Sequence, residues 1–475
     1  MSELPVGWAQ AALGELVDVI RGVTFPASSK VHEASKDVVA CLRTSHIQEK
    51  LLWDNIYYIP KQYVRREQQL TRRNDILMSM ANSANLVGKV CINESDQAAC
   101  FGAFLAAIRC REVDHKYIYY FLRSSGAQSK LRATASQTVN IANISVAELS
   151  KLKTPLPPLA EQKRIAQKLD ALLAQVDALK TRIDAIPTLI GKFRQSVLHS
   201  ATSGQLTADW RVHHPHPAAN RSLDIAGIHA SWNWSNTPES WDVDSYQNVV
   251  NSKLGKMLDK AKNNGIPTPY LGNINVRWGH FNLENLQEIL ASEDEIEEME
   301  LRKGDVLICE GGEPGRCAVW NSDKPGIIYQ KALHRARASH RLLPDLLVFN
   351  LKNDADNTSL SQLFTGTTIK HLTASALKRY PLRIPPLEEQ AEIIRRVQQL
   401  FAYADQLETK VSAAQQRIDT LTQSLLTKAF RGELAPQDPN DEPASVLLER
   451  LTNDQATTGP RLLSVLLSPK SLAID

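Results

Sequence analysis

The segment PPLAEQKRIAQKLDALLAQVDALK begins at Pro157, and PPLEEQAEIIRRVQQLFAYADQLETK begins 228 residues later at Pro385. The same offset holds without a gap to GQL at Gly204 and GEL at Gly432, with about 19 of roughly 51 aligned positions identical. A repeat of this length constrains the fold more than any single residue, because one structural plan has to be built twice.

Both copies keep a heptad rhythm. In the first, Ile165, Leu169, Leu172, Val176, Leu179 and Ile183 alternate spacings of four and three; in the second, Ile393, Val397, Leu400, Leu407, Val411 and Ile418 do the same. A 3.5-residue apolar period turns one seam toward a partner helix. Each tract corresponds to roughly 50 Å of helix, and the economical arrangement pairs the two tracts with each other. Pro-Pro at each start fits a sharp entry turn, and Pro187 is expected to kink the first tract.

The segments before the helices also echo. Pro5 and Trp8 stand opposite Pro238 and Trp241, NDIL at Asn74 matches GDVL at Gly304, and SQTVNIANISVAELSKLKTPLPPL runs parallel to GTTIKHLTASALKRYPLRIPPL. Short β-branched runs between Gly, Asn and Pro turns give each arm an α+β plan. The mirrored tryptophans read as packing anchors. The expected division is an N-terminal arm at 1–155, a long helix at 156–207, a linker at 208–236, a second arm at 237–383, a second long helix at 384–435 and a tail at 436–475 that opens with a short helix. His213, His214 and His216 in the linker read as solvated loop residues rather than metal ligands.

Composition excludes more than it assigns. With 55 Lys and Arg against 52 Asp and Glu, the net charge of +3 permits a polyanionic partner without requiring one. No apolar run approaches the roughly 20 residues of a membrane span, MSELPVGWAQ does not read as a signal peptide, and the cytoplasm is the expected location. None of the six cysteines forms a Cys-x-x-Cys pair, so no metal is expected. Both Pro-Pro pairs precede Leu, which leaves no (Asn/Asp)-Pro-Pro-aromatic methyltransferase motif. The Gly-Lys pairs at Gly88, Gly191 and Gly255 precede Val, Phe and Met, which leaves no phosphate-binding loop. No catalytic residues are assigned.

Together, PPLAEQ and PPLEEQ opening the helices, FRQSVLHSATSGQLT and LTQSLLTKAFRGELA closing them, and the paired PVGW and PESW arms resemble the specificity subunit (HsdS) of type I restriction–modification systems, the type IA branch in particular. The resemblance runs from residue 4 to about 455. It implies two target-recognition domains separated by an antiparallel pair of long coiled-coil helices in a pseudo-twofold internal repeat. Each domain would read one half of a split, asymmetric site on double-stranded DNA, while the helices set the unread spacer. It further implies two HsdM methyltransferase subunits and two HsdR restriction subunits as partners. S-adenosylmethionine, ATP and Mg would serve the complex, and no cofactor is expected on this chain. The charged faces AEQKRIAQK and EEQAEIIRR read as exposed, duplicated docking surfaces for HsdM. The competing readings are a coiled-coil adaptor without DNA reading and a stand-alone methyltransferase or nuclease.

Base edges are read by donors and acceptors, whereas Lys and Arg on phosphates mainly position a protein. The loops after NDIL and GDVL therefore offer Ser79, Asn82, Ser83, Asn85 and Lys89 in the first arm, and Glu310, Glu313 and Arg316 in the second. Glu suits cytosine N4 there, and Arg suits guanine. A second loop in each arm adds Gln137, Thr138 and Asn140, and Thr367, Thr368 and Lys370; Arg43 joins the first arm's set. The basic cluster Arg65, Arg66, Arg72 and Arg73 is a candidate for phosphates, and the acidic run SEDEIEEME is expected to face away from them.

Overall fold

The computed structural model describes residues 4–138, 141–221, 223–234, 236–259 and 263–458. The chain divides into two compact units, Met1–Ile183 with Ala413–Asp475 and Asp184–Ser412. The division falls inside both long helices, Leu159–Thr202 and Leu387–Ala429.

The first unit holds a four-stranded antiparallel sheet in the order Val17–Arg21, Leu105–Cys110, Ile76–Ser79 and Val90–Ile92. A three-stranded sheet places Val38–Leu42 antiparallel to Tyr57–Pro60 and parallel to Ala99–Phe101. In the second unit the same order recurs as Val250–Leu254, Leu333–Ala338, Val306–Cys309 and Cys317–Val319, beside Gln287–Ala291, Ile266–Leu271 and Ile328–Tyr329. The central strands are buried on both faces, so they read as continuous apolar runs that still alternate by side. Ile76 and Met78 join the core beneath the helix His115–Arg123, while Leu77 joins the core of the three-stranded sheet. Val306 and Ile308 divide from Leu307 in the same way.

Inside each unit the long helices run antiparallel. In the first, Arg164 pairs with Asp441 and Lys180 with Asp419; in the second, Arg194 pairs with Asp405 and Arg396 with Asp209. Ile165, Leu169 and Leu173 share one core with Leu426 and Ala429, and Val197, Leu198 and Ala201 share another with Ile393 and Val397. Val176, Val411 and Ile418 are buried along the seam, whereas Leu172, Ile183, Leu400 and Leu407 are half-buried. Leu179 is 48% exposed and does not close the seam. Near an arm the arm's core covers a wider helix face, which is why Leu173, off the heptad, is buried; at Leu179 that cover is missing. The first helix continues through Pro187, whose ring removes one backbone donor without ending it.

The repeated motif residues fasten each arm to the helices. In the first unit Trp8 Nε1 donates to Glu161 Oε2 at 3.0 Å, and in the second Trp241 Nε1 donates to Glu389 Oε2 at 2.8 Å. Gln162 donates to the Pro157 carbonyl and accepts from the Asp114 amide; Gln390 donates to Pro385 and accepts from the Leu343 amide. The closing glycines complete the arrangement. Gly432 (φ +77°) lies under Pro5 and Gly204 (φ +81°) under Pro238, where a Cβ would come within 2.5 and 2.4 Å of the proline ring. Glu161, Gln162, Glu389 and Gln390 are therefore buried, which corrects the expectation of an exposed charged face there. A long helical repeat written in charged letters conceals its anchor in its first turn. Lys163, Gln167 and Lys168 of the first copy, and Arg395, Gln398 and Gln399 of the second, do remain exposed.

The expected short helix of the tail is Ala444–Thr458. Its Leu447 and Leu451 enter the first unit's core, and the Ala444 amide donates to the Gly7 carbonyl at 3.0 Å. Residues 459–475 lie outside the described residues. The linker is more ordered than its composition implies: Ala208–His213 and Ile225–Trp232 are helical, and Trp232 and Trp234 are buried in the second unit's core. Among the described residues no helix is long and apolar enough to cross a membrane.

Candidate nucleic-acid interface

In each unit, three connections that are remote in sequence meet where the central strand leaves the four-stranded sheet. In the first unit they are the loop after Ser79, the turn before Leu105, and the hairpin of Ser136–Thr138 with Ile141–Asn143. The Met80 amide donates to the Phe104 carbonyl at 2.8 Å, and the Met80 carbonyl accepts from the Ile144 amide at 2.8 Å. The second unit repeats both bonds: the Glu310 amide donates to Ala332 at 2.9 Å, and the Glu310 carbonyl accepts from Leu372 at 2.7 Å. The two candidate loops of each arm, separate in sequence, thus form one platform. In the first unit they share a small sheet, with Asn82 opposite Ala142 and Ala81 opposite Asn143.

The first platform presents a narrow tip. Ser79 is 1% exposed, so it does not offer its hydroxyl outward as expected; it accepts from Asn82 Nδ2 at 3.3 Å and holds that side chain. Asn82 Oδ1 accepts the Ser83 amide, and the Ser83 carbonyl accepts from Leu86 and Val87, so Ser83 and Asn85 project at an ordered turn. Gly88 (φ +83°) closes it, its carbonyl held by Gln128 Nε2 at 2.8 Å. Lys89 donates to Gln48, and Arg132 donates to the Asn85 carbonyl; with Arg123 these cations line a concavity beside the loop. Arg43 is exposed, donates to the Asn55 carbonyl and lies over the Tyr57 ring. Its amide donates to His46 Nδ1 at 3.0 Å, and burial together with the Arg43 charge pushes the His46 imidazole below its usual value, which keeps that acceptor neutral. Gln137 and Thr138 belong to the hairpin, but their side chains, and all of Asn140, lie outside the described residues.

The second platform is built around a carboxylate. Glu313 Oε1 accepts from Trp278 Nε1 at 2.6 Å and Oε2 from Arg316 at 2.9 Å, while its side chain stays 52% exposed. Arg316, expected to face guanine, is only 16% exposed and turns its other nitrogen to the Asn273 carbonyl at 2.9 Å. It holds Glu313 instead, because a guanidinium engaged on both edges has no free fork for a base. Glu310 is half-buried beside the hairpin 365–371, closed by paired bonds between Thr365 and His371. Thr367, Thr368 and Lys370 are exposed at its tip.

Other charges are partly spent on structure. Arg73 pairs with Asp96, while Arg66 and Arg72 line a second concavity with Arg21 and Arg109. The acidic run forms the helix Glu293–Met299, whose Glu295 and Glu298 take up Lys256 and Lys253. Sequence reasoning missed Gln48, Phe104, Arg132, Asn273 and Trp278 on these platforms. The tight turn FGAF at Phe101 was the one local signal that pointed to any of them.

The family model described as type I restriction modification DNA specificity domain matches residues 5–188 and again 238–414, once per arm with its following helix. The chain is 31% identical to the EcoKI specificity subunit of Escherichia coli K12 and 31% identical to the StySPI specificity subunit of Salmonella potsdam, covering 97% of this chain and 98% of each relative. The fold is similar to the HsdS subunit of Thermoanaerobacter tengcongensis, with a TM-score of 0.55 at 19% identity over 91% of this chain and 98% of that one. A chain from a type I restriction–modification assembly gives 0.62 at 18% identity, over 91% and 100%. With the family model matched over both arms and relatives aligned along nearly the whole length, the chain belongs to the family of type I restriction enzyme DNA specificity subunits.

Proposed function

We propose that each platform reads one half of a split, asymmetric sequence on double-stranded DNA, and that the paired helices set the spacer and dock the methyltransferase subunits. One observation carries this reading. The two platforms share the same backbone hydrogen bonds but carry different side chains, Ser83 and Asn85 on one against Glu313, Thr367, Thr368 and Lys370 on the other. A constant frame with exchanged donors and acceptors suits two readers of different sequence. The recognition residues are Asn82, Ser83, Asn85 and Lys89 with Arg43 and the hairpin Gln137, Thr138 and Asn140, and Glu310, Glu313, Thr367, Thr368 and Lys370. The exposed rows Lys163, Gln167, Lys168 and Arg395, Gln398, Gln399 are the docking surfaces, one for each of two HsdM subunits. Two HsdR subunits complete the assembly in the cytoplasm. The chain is its non-catalytic member; S-adenosylmethionine, ATP and Mg would be bound by the partners. Recognition domains at 1–155 and 237–383, helices at 156–207 and 384–435, a linker at 208–236 and a tail from 436 remain the working division.

Mapping methylated adenines in host DNA with and without this gene tests the reading. The expected result is a gene-dependent motif of two short halves around a fixed gap. Adding one heptad after Leu179 and one in the facing stretch of the second helix is expected to change the gap and neither half. An uninterrupted motif, or altered bases after the insertion, contradicts it.

A further inference from the structure

Scattered exposed apolar residues are ordinary on a protein surface; a group of them around its most polar loops is not. Five large apolar side chains ring the two platforms: Leu86, Phe104 and Ile141 in the first unit, 46%, 62% and 49% exposed, and Ile274 and Ile369 in the second, 68% and 64% exposed. Resting on the DNA-reading function above, we propose that these side chains contact thymine methyl groups in the major groove of the two half-sites, making them specificity determinants in addition to the polar loop residues.

The backbone holds them outward. The Phe104 carbonyl accepts from Met80 and Ala81 at 2.8 and 3.4 Å, and its turn is tied down by the Gly102 amide on Leu42 and the Leu105 amide on Gly102. Gly22 packs so closely beneath that a Cβ there would lie 2.2 Å from the Gly102 carbonyl oxygen, so the turn cannot sink inward. Ile274 sits between two asparagines that face the protein. Asn273 donates to the Gly311 carbonyl at 3.2 Å, while Asn275 donates to Asn282 and accepts from the Gly272 amide. Ile369 follows Gly366, whose left-handed backbone (φ +91°) folds the tip back until a Cβ would meet the Ile369 carbonyl at 2.2 Å. Ile141 and Ile369 occupy the same position of the internal repeat, 228 residues apart, although the residues flanking them differ.

Chemistry selects the occupant. In the major groove every base edge offers a donor or an acceptor, and the apolar group among them is the thymine C5 methyl. Lys89, Arg123 and Arg132 beside the first platform, and Lys370 on the second, supply charge that complements phosphate rather than an apolar protein surface. Loops without apolar reach would tell thymine from cytosine by hydrogen bonding alone; a side chain seated on the methyl adds the burial of one methyl group.

The test is anisotropy-monitored binding of the assembled methyltransferase complex to duplexes carrying the mapped site, with dT replaced by dU in one half at a time. Removing a contacted methyl is expected to weaken binding about fourfold per methyl. Phe104→Ala is expected to reduce the dU sensitivity of the first half by about fourfold, the share of one methyl, and leave that of the second, and Ile369→Ala the reverse. Equal binding of dT and dU duplexes by the parent complex overturns the proposal even if a variant fails to assemble. So does a half-site without an A·T pair, or a variant that assembles normally and keeps the full dU sensitivity of the parent. Failure to discriminate the site from unrelated DNA, on dT and dU alike, overturns the underlying functional reading instead.

Discussion

The two anchors of the arms are built from the same letters and neutralised differently. In the second unit both oxygens of Glu389 are engaged, Oε2 by Trp241 and Oε1 by Thr207 at 2.6 Å and by Arg211. In the first unit Glu161 receives Trp8 on Oε2, but Oε1 is buried with no hydrogen-bond partner among the described residues. The reason lies in the repeat: Thr207 falls on Ala435, and Arg211 on Pro439, 228 residues further on. The difference teaches that a duplicated motif preserves the donor that positions the helix, here the tryptophan, while the group that balances the buried charge is free to diverge. Arg164, one turn after Glu161, turns to Asp441 instead.

The largest loss is expected at Glu389. Replacement by Ala leaves Arg211 without its carboxylate partner and Trp241 without an acceptor, and is expected to cost about 3–4 kcal/mol. Denaturant unfolding monitored by amide exchange in the second unit would report it; a loss below about 1 kcal/mol would mean that the anchor does not matter.

Next come the closing glycines. Gly204→Ala and Gly432→Ala each place a Cβ on a left-handed backbone and into a proline ring, at a cost of about 1–3 kcal/mol. Each loss should appear in its own unit. Equal destabilisation of both units by either change would show that the anchors are not independent.

The subtlest effect sharpens the contrast. Burial holds the Glu161 carboxyl above its ordinary value of 4.5. A carboxyl raised in the folded state contributes stability that is present below the ordinary value and lost as pH rises through the folded value. Glu161→Gln keeps the acceptor for Trp8 and removes the charge. It is expected to match the parent near pH 4.5 and to exceed it by up to about 1 kcal/mol at neutral pH. Parallel pH profiles for variant and parent would contradict that account.

How far the sequence could be read follows the same division. The repeat, its heptads and the mirrored Pro-Trp pairs announced two arms and two helices that pair, because periodicity and duplication are local signals; the antiparallel direction was what the family resemblance implied. The partner of each tryptophan was not legible. Glu161 lies 153 residues from Trp8 and reads, in its own helix, as one more solvated charge. Leu179 fits the heptad as well as Val176, and only the extent of the arm's cover separates them. At the platforms the loops were found from composition, but Ser79 and Arg316 turned out to hold the side chains of Asn82 and Glu313. Composition lists donors and acceptors without saying which are already taken. Phe104 escaped notice because an apolar residue in a strand–turn–strand segment ordinarily belongs to a core.

Whether one backbone frame carries two independent readers, as proposed, is tested by a methylation map made with Glu313→Gln. The carboxylate that accepts from Trp278 and Arg316 would become an amide presenting a donor, so the account predicts that the methylated motif changes or relaxes in one half, with the other half and the gap between them unaltered. An unchanged motif, or one changed in both halves, would contradict it.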